Sequence, residues 1–235
     1  MSTWWCEHAW LGGDTVAAAV AVTVDDGVIT DIRPDRPRGG KVLRGLVIPG
    51  LANAHSHAFH RALRARTQRG RGSFWTWRDV MYAAAARLTP DRYRELARAV
   101  YAEMTLAGIT AVGEFHYLHH DADGRRYADR NAMGHALIDA ARAAGVRMTL
   151  LDTCYLRAGP DGAPLDGPRR RFGDGDAASW AERVEAIEVP DNVLVGAAIH
   201  SVRAVPPGAM TTVAEWAQRR GVPLHIHSSE QTAEV

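Results

Sequence analysis

Residues 46–60 read LVIPGLANAHSHAFH. The apolar run Leu46-Val47-Ile48 meets Pro49-Gly50, resumes as Leu51-Ala52-Asn53-Ala54, and delivers His55-Ser56-His57. Side chains at i and i+2 of a strand leave on the same side. Two imidazoles would therefore stand together at the strand end, and His nitrogen is a ready ligand for Zn²⁺. His-x-His alone is a common pattern; at the end of an apolar strand, just after Pro-Gly, it points to a metal.

Outward from this stretch, the rhythm of the chain is strand then helix. Ser73–Arg87 carries Phe74-Trp75-Thr76-Trp77-Arg78 and then an Ala-rich helical run. Thr89-Pro90-Asp91 is a helix start, with a capping Thr, Pro at the first helical position and an acid at the positive end. That helix runs to about Ala107, and Ile109–Phe115 is the next strand. Further pairs follow: a helix over about 129–144 and a strand at Val146–Tyr155, then a helix over about 177–187 and a strand at Asn192–Ile199. The last are a helix over about 209–220 and a strand at Val222–His227. A Gly-, Pro- and Arg-rich loop spans 158–175. Three helices end at Gly followed by Ile or Val (Gly108, Gly145, Gly221), at spacings near one and two units of a common length. This is a βα array with a parallel sheet. Before it, residues 1–45 read as a small β-domain, with Val20–Val24 and Val28–Ile32 paired around Asp25-Asp26-Gly27. The boundary falls at 45/46.

A chain of 235 residues can bury one good core. A net charge of +1 gives no reason to expect nucleic acid or an anionic membrane as partner. No apolar run reaches the ~20 residues of a membrane span. The N-terminus lacks the basic start and apolar core of a signal peptide. Cys6 and Cys154 resemble neither a disulfide framework nor a CxxC site, which fits a cytoplasmic protein.

The polar residues then decide between a doubly wound sheet and a barrel. His55 and His57 end the first strand; Glu114, His116, Tyr117, His119 and His120 end the second. His200 and Arg203 end the fourth, and His225, His227 and Glu230 end the fifth. Any one cluster is more often packed core or rim histidines than a set of ligands. Four at the same topological position describe the C-terminal face of a (β/α)8 TIM-type barrel, where active sites lie.

These residues resemble the amidohydrolase superfamily, metal-bearing hydrolases built on a (β/α)8 barrel. The stretches His55–Phe59, Ser73–Arg78, Glu114–His120, Ala198–Arg203 and His225–His227 through Glu230-Gln231 together resemble its formimidoylglutamate deiminase branch. The fold implied is α/β: about five of the eight barrel strands, with a small N-terminal β-sandwich domain. One position departs from the branch, which has Gln three residues after the second histidine where this chain has His60.

The resemblance implies that His55, His57 and His227 hold one Zn²⁺, with other divalent metals as substitutes. It selects His227 over His225 because the pattern is His-x-x-Glu, completed by Glu230. Zinc brings the pKa of a bound water to ~7, and the resulting hydroxide would attack the formimino carbon. Glu230 would be the catalytic proton shuttle; as a purely structural residue it would be a helix-start carboxylate. Arg78 and Arg203 would meet substrate carboxylates, and His60, Tyr117 and His200 would complete the contacts. Arg78 reads equally as a solvated helix residue. Binuclear members bridge two metals with a carboxylated lysine on a barrel strand; the single lysine, Lys41, precedes the barrel, so a mononuclear site is implied.

The implied reaction is zinc-dependent hydrolysis of N-formimino-L-glutamate to N-formyl-L-glutamate and ammonia, in histidine degradation. The implied partner is a small formimino-amino acid, with a homodimer for the full-length protein. The branch also uses a histidine from the sixth strand and an aspartate from the eighth, neither of which is in these residues, so little activity is expected of this chain alone. Two alternatives stand beside this. One is another mononuclear aminohydrolase acting on a purine, pyrimidine or triazine ring; the other is an inactive fragment serving as a binding or assembly module.

Overall fold

The computed structural model describes residues 1–67, 74–230 and 232–234. Ser73 and Gln231 of the motifs above lie outside the described residues. The chain divides into two units, Met1–Leu51 and Ala52–Val235. Among the described residues, no helix is long and apolar enough to cross a membrane.

The first unit is a four-stranded sheet of β1 (Ser2–Trp10), β2 (Val16–Asp25), β3 (Val28–Arg33) and β4 (Lys41–Val47), in the order β3-β2-β1-β4. Asp26-Gly27 forms the two-residue turn of the β2–β3 hairpin; both residues have positive φ, which glycine adopts without strain. β4 runs parallel to β1, and the other neighbours are antiparallel. Cys6, Ala9 and Val20 form the buried centre. Lys41 sits over the Trp4 ring at 4.7 Å.

The second unit carries a five-stranded parallel sheet in the order β5-β6-β7-β8-β9. Its strands are β5 (Leu51–Ser56), β6 (Ile109–His116), β7 (Arg147–Cys154), β8 (Val193–Ser201) and β9 (Leu224–His227). Between them lie α1 (Phe74–Ala85), α2 (Pro90–Leu106), α3 (Ala132–Ala144), α4 (Ala177–Glu185) and α5 (Pro207–Arg220). This strand order, one βα unit after another, is the barrel sequence and not the doubly wound one. β7 is central, and its last five residues, Leu150–Cys154, are buried on both faces of the sheet.

Local chemistry sets the helix ends. The Thr89 hydroxyl accepts the Arg92 amide at the start of α2, and Pro90 follows it. Gly108, Gly145 and Gly221 take φ of 83°, 75° and 62° just past α2, α3 and α5, the left-handed conformation that glycine reaches without strain. α3 starts at Ala132, later than the periodicity suggests. Asp129 instead forms a turn, accepting the Asn131 amide and the His135 Nδ1–H at 2.8 Å each. Gly113 allows β5 to lie close to β6, since a Cβ there would stand 2.6 Å from the Ala54 carbonyl oxygen.

The helices pack on the sheet through two apolar clusters. Phe59, Tyr93, Tyr101, Leu137 and Leu150 belong to the larger one; Trp180, Val213 and Trp216 centre the other.

Candidate metal centre

β5 and β9 are the outer strands of the sheet, yet its curl brings their C-terminal ends together. The Nε2 atoms of His55, His57 and His227 lie 3.1 Å, 3.3 Å and 3.2 Å apart, pair by pair. Three ligands on tetrahedral legs of 2.0–2.1 Å stand roughly 3.3 Å from one another. The triangle therefore fits one Zn²⁺-sized ion without rearrangement. The protonation states agree. His57 Nδ1 donates to the Phe115 carbonyl oxygen at 3.0 Å, which leaves Nε2 as a lone pair facing the triangle. Burial, reinforced by the neighbouring imidazoles, holds His57 well below the usual histidine range. Burial also lowers His55 and His227. Neutral imidazoles are the form that binds metal. The His225 ring lies parallel to that of His55 at 6.5 Å and stands outside the triangle.

A cavity of about 250 Å³ opens beside the triangle. All the other residues expected at the site line it: His60, Arg78, Tyr117, His200, Arg203 and Glu230. His60 Nε2 and Tyr117 Oη share a hydrogen bond of 2.8 Å. Burial, with His227 and His55 nearby, pushes His60 down to about 3, so it is neutral at pH 7. The His200 ring stacks on Tyr155 at 3.9 Å, and Nδ1 lies 3.1 Å from the Ser201 hydroxyl. The Arg78 guanidinium sits over Tyr82, 5.6 Å from the ring centre. Arg203 is held by acids of its own chain, donating to Glu230 at 2.5 Å and to Glu234. Glu230 is thus at the cavity and tied to Arg203. Trp77, Met81, Tyr82 and Tyr155 also line the cavity. Sequence reasoning missed Tyr155, whose only signal was its place one residue beyond β7.

The polar end of β6 splits between two faces. Phe115 and Tyr117 face the histidines. Glu114 and His116 point to the helices, against Tyr101 and Tyr93 of α2. Burial pushes the Glu114 carboxyl up to about 8. His119 and His120 also leave the cavity, turning to the Thr153 and Gly173 carbonyl oxygens at 2.9 Å and 3.1 Å. His116, His119 and Asp152 come close enough to hold an ion. Their chemistry argues otherwise: Asp152 accepts two hydrogen bonds from Arg183, at 2.8 Å and 2.9 Å, and a third from Trp180 Nε1 at 2.9 Å. A carboxylate saturated by a guanidinium is part of a buried ion network, here completed by Asp174 and Asn131.

Comparison with known proteins settles the family. The amidohydrolase family profile matches residues 46–235. The chain belongs to the amidohydrolase family. It is 43% identical to the formimidoylglutamate deiminase of Pseudomonas aeruginosa, covering 89% of this chain and 48% of that protein. A 5-methylthioadenosine/S-adenosylhomocysteine deaminase of Syntrophobacter fumaroxidans is 28% identical, over 81% of this chain and 38% of the relative. Among solved structures, an amidohydrolase from Brucella melitensis superposes with a TM-score of 0.90 at 35% identity, covering all of this chain and 53% of that one. This amidohydrolase chain thus spans about half the length, or less, of the curated relatives it matches. The fold of the chain is shared with the Brucella structure.

Proposed function

We propose that this chain carries the zinc-holding part of an enzyme that hydrolyses N-formimino-L-glutamate to N-formyl-L-glutamate and ammonia. The observation that carries the proposal is the Nε2 triangle of His55, His57 and His227, with edges of 3.1–3.3 Å at the mouth of a cavity lined by two arginines. Zinc held there supplies a water acidified to a pKa of ~7.

The chain's own residues do the rest. Arg78 and Arg203 receive the substrate carboxylates, as planar guanidinium forks match carboxylates. Tyr117, His60 and His200 orient the formimino group through hydrogen bonds. Glu230 takes a proton from the attacking water and returns it to the departing nitrogen, which leaves as ammonia. For Glu230 to serve, Arg203 must exchange its contact with Glu230 for one with substrate.

A second reading rests on a specific observation. The cavity is also aromatic, with Trp77, Tyr82, Tyr117 and Tyr155 in its wall, and a ring aminohydrolase would use such a wall. An ammonia-release assay on the whole enzyme separates the two. Release from formiminoglutamate but not from adenine nucleosides supports the first; the reverse supports the second. Metal analysis tests the triangle itself: about one zinc per chain is expected, lost in His57→Ala. A wild-type chain that takes up no zinc overturns both.

A further inference from the structure

The Glu114 carboxyl group lies off the cavity, on the helix-facing side of β6, and is fully buried. Its Oε1 accepts the Ala58 amide N–H at 2.6 Å. The Ser56 hydroxyl and the Tyr101 phenol lie against the same carboxyl group. Ser56 and Ala58 are the two chain neighbours of His57. The next residue of β6, Phe115, accepts the His57 Nδ1–H through its carbonyl oxygen at 3.0 Å. Two consecutive residues of one strand therefore grip one histidine, Glu114 through the Ala58 amide and the Ser56 hydroxyl on either side of it and Phe115 through the ring.

A buried carboxyl group is costly to keep. An apolar side chain would fill the space between β6 and α2 at less cost, so packing alone does not explain an acid here. What the acid does is pin the point where β5 ends and the 3-10 turn Ala58–Leu63 begins, which is where the aim of the His57 ring is decided. Ligand geometry tolerates errors of only about 0.5 Å and 10–20°.

We infer that Glu114 is a positioning residue, which sets the direction of His57 Nε2 and with it the affinity of the histidine triangle for a divalent ion. The inference rests on the metal site proposed above. Groups that orient metal-binding histidines typically change metal affinity by 10–100-fold when removed.

The test is a zinc titration of the chelator-stripped chain against a chromophoric competitor, with the visible spectrum of the Co²⁺ form as a second readout. Glu114→Gln keeps an oxygen acceptor for the Ala58 amide and should bind close to wild type, with an unchanged Co²⁺ spectrum. Glu114→Asp draws the acceptor back by one methylene and should bind about 10-fold more weakly with an altered spectrum; Glu114→Ala should lose up to about 100-fold. The Gln and Asp variants carry the comparison whether or not the Ala variant folds. Wild-type affinity and spectrum in Glu114→Asp would overturn the inference and leave Glu114 as a cap of the 3-10 turn. His57→Ala is the reference. Undiminished zinc binding there overturns the metal site itself, whereas its loss there alongside unchanged binding in Glu114→Asp removes only the role of Glu114.

Discussion

Tyr117 Oη and His60 Nε2 stand 2.8 Å apart, and the His60 ring lies 4.5 Å from that of His57. His60, where the resemblance implied glutamine, is thus satisfied by a tyrosine just past the end of β6. Tyr117→Phe removes that partner and leaves a half-buried imidazole nitrogen unpaired. The expected loss is about 1–3 kcal/mol of stability in urea unfolding. His60→Gln, which can still bond to the hydroxyl, should cost less.

Zinc should stabilise the chain. A ligand bound to the folded state alone adds about 2.7 kcal/mol at a hundred times its Kd. Chelator-treated protein should melt earlier and recover on adding zinc. His227→Ala, which removes one corner of the triangle, should show no such recovery.

Asp152 gives a pH signature. Burial alone would raise its carboxyl, but the Arg183 guanidinium outweighs burial and holds it at about 2, against an ordinary value of 3.8. Asp174, beside His120 and the same guanidinium, is lowered as well. A lowered carboxyl contributes stability that is fully present above its unfolded value and lost as the pH falls through its folded one. Stability should therefore drop between about pH 4 and pH 2. In Asp152→Asn the acid loss over that window should be smaller, from a start about 3–5 kcal/mol lower because Arg183 loses a buried partner. Denaturant melts at pH 7, 4 and 3 check both statements.

Arg171 is buried completely, with its guanidinium spent on backbone carbonyl groups: Ala85, at the end of α1, and Leu88 and His120, each of the latter at 3.0 Å. Its own carbonyl oxygen accepts the His119 and His120 amides. It ties α1, which carries Trp77 and Arg78, to the loop after β6. Arg171→Met should cost about 3 kcal/mol or more by leaving those carbonyls unpaired, with an early transition in tryptophan fluorescence.

How far the sequence revealed this depends on the kind of signal. His55-x-His57 and Thr89-Pro90 declare themselves because their chemistry is local: two side chains on one strand face, one hydroxyl on one amide. The Gly108, Gly145 and Gly221 stops are equally local. Glu114, His116, His119 and His120 are different. They sit at a strand end where catalytic residues belong, but which face each takes is fixed by pairing with distant segments, and none of the four lines the cavity. Arg171 and Arg183 were illegible for a related reason. In a chain rich in arginine, a buried guanidinium looks like a solvated one until its partners, 31 to 86 residues away for Asp152 and Ala85, are in place.

His57 and His227 are 170 residues apart in the chain and stand on opposite margins of the five-stranded sheet. Three whole strands separate the two margins, so an ion seated among these imidazoles is a rivet. Its grip and the roll of the sheet are one equilibrium: flattening the sheet loosens the rivet, and setting the rivet keeps the sheet rolled. Substitutions deep in β7, far from any ligand, should therefore register as altered metal retention.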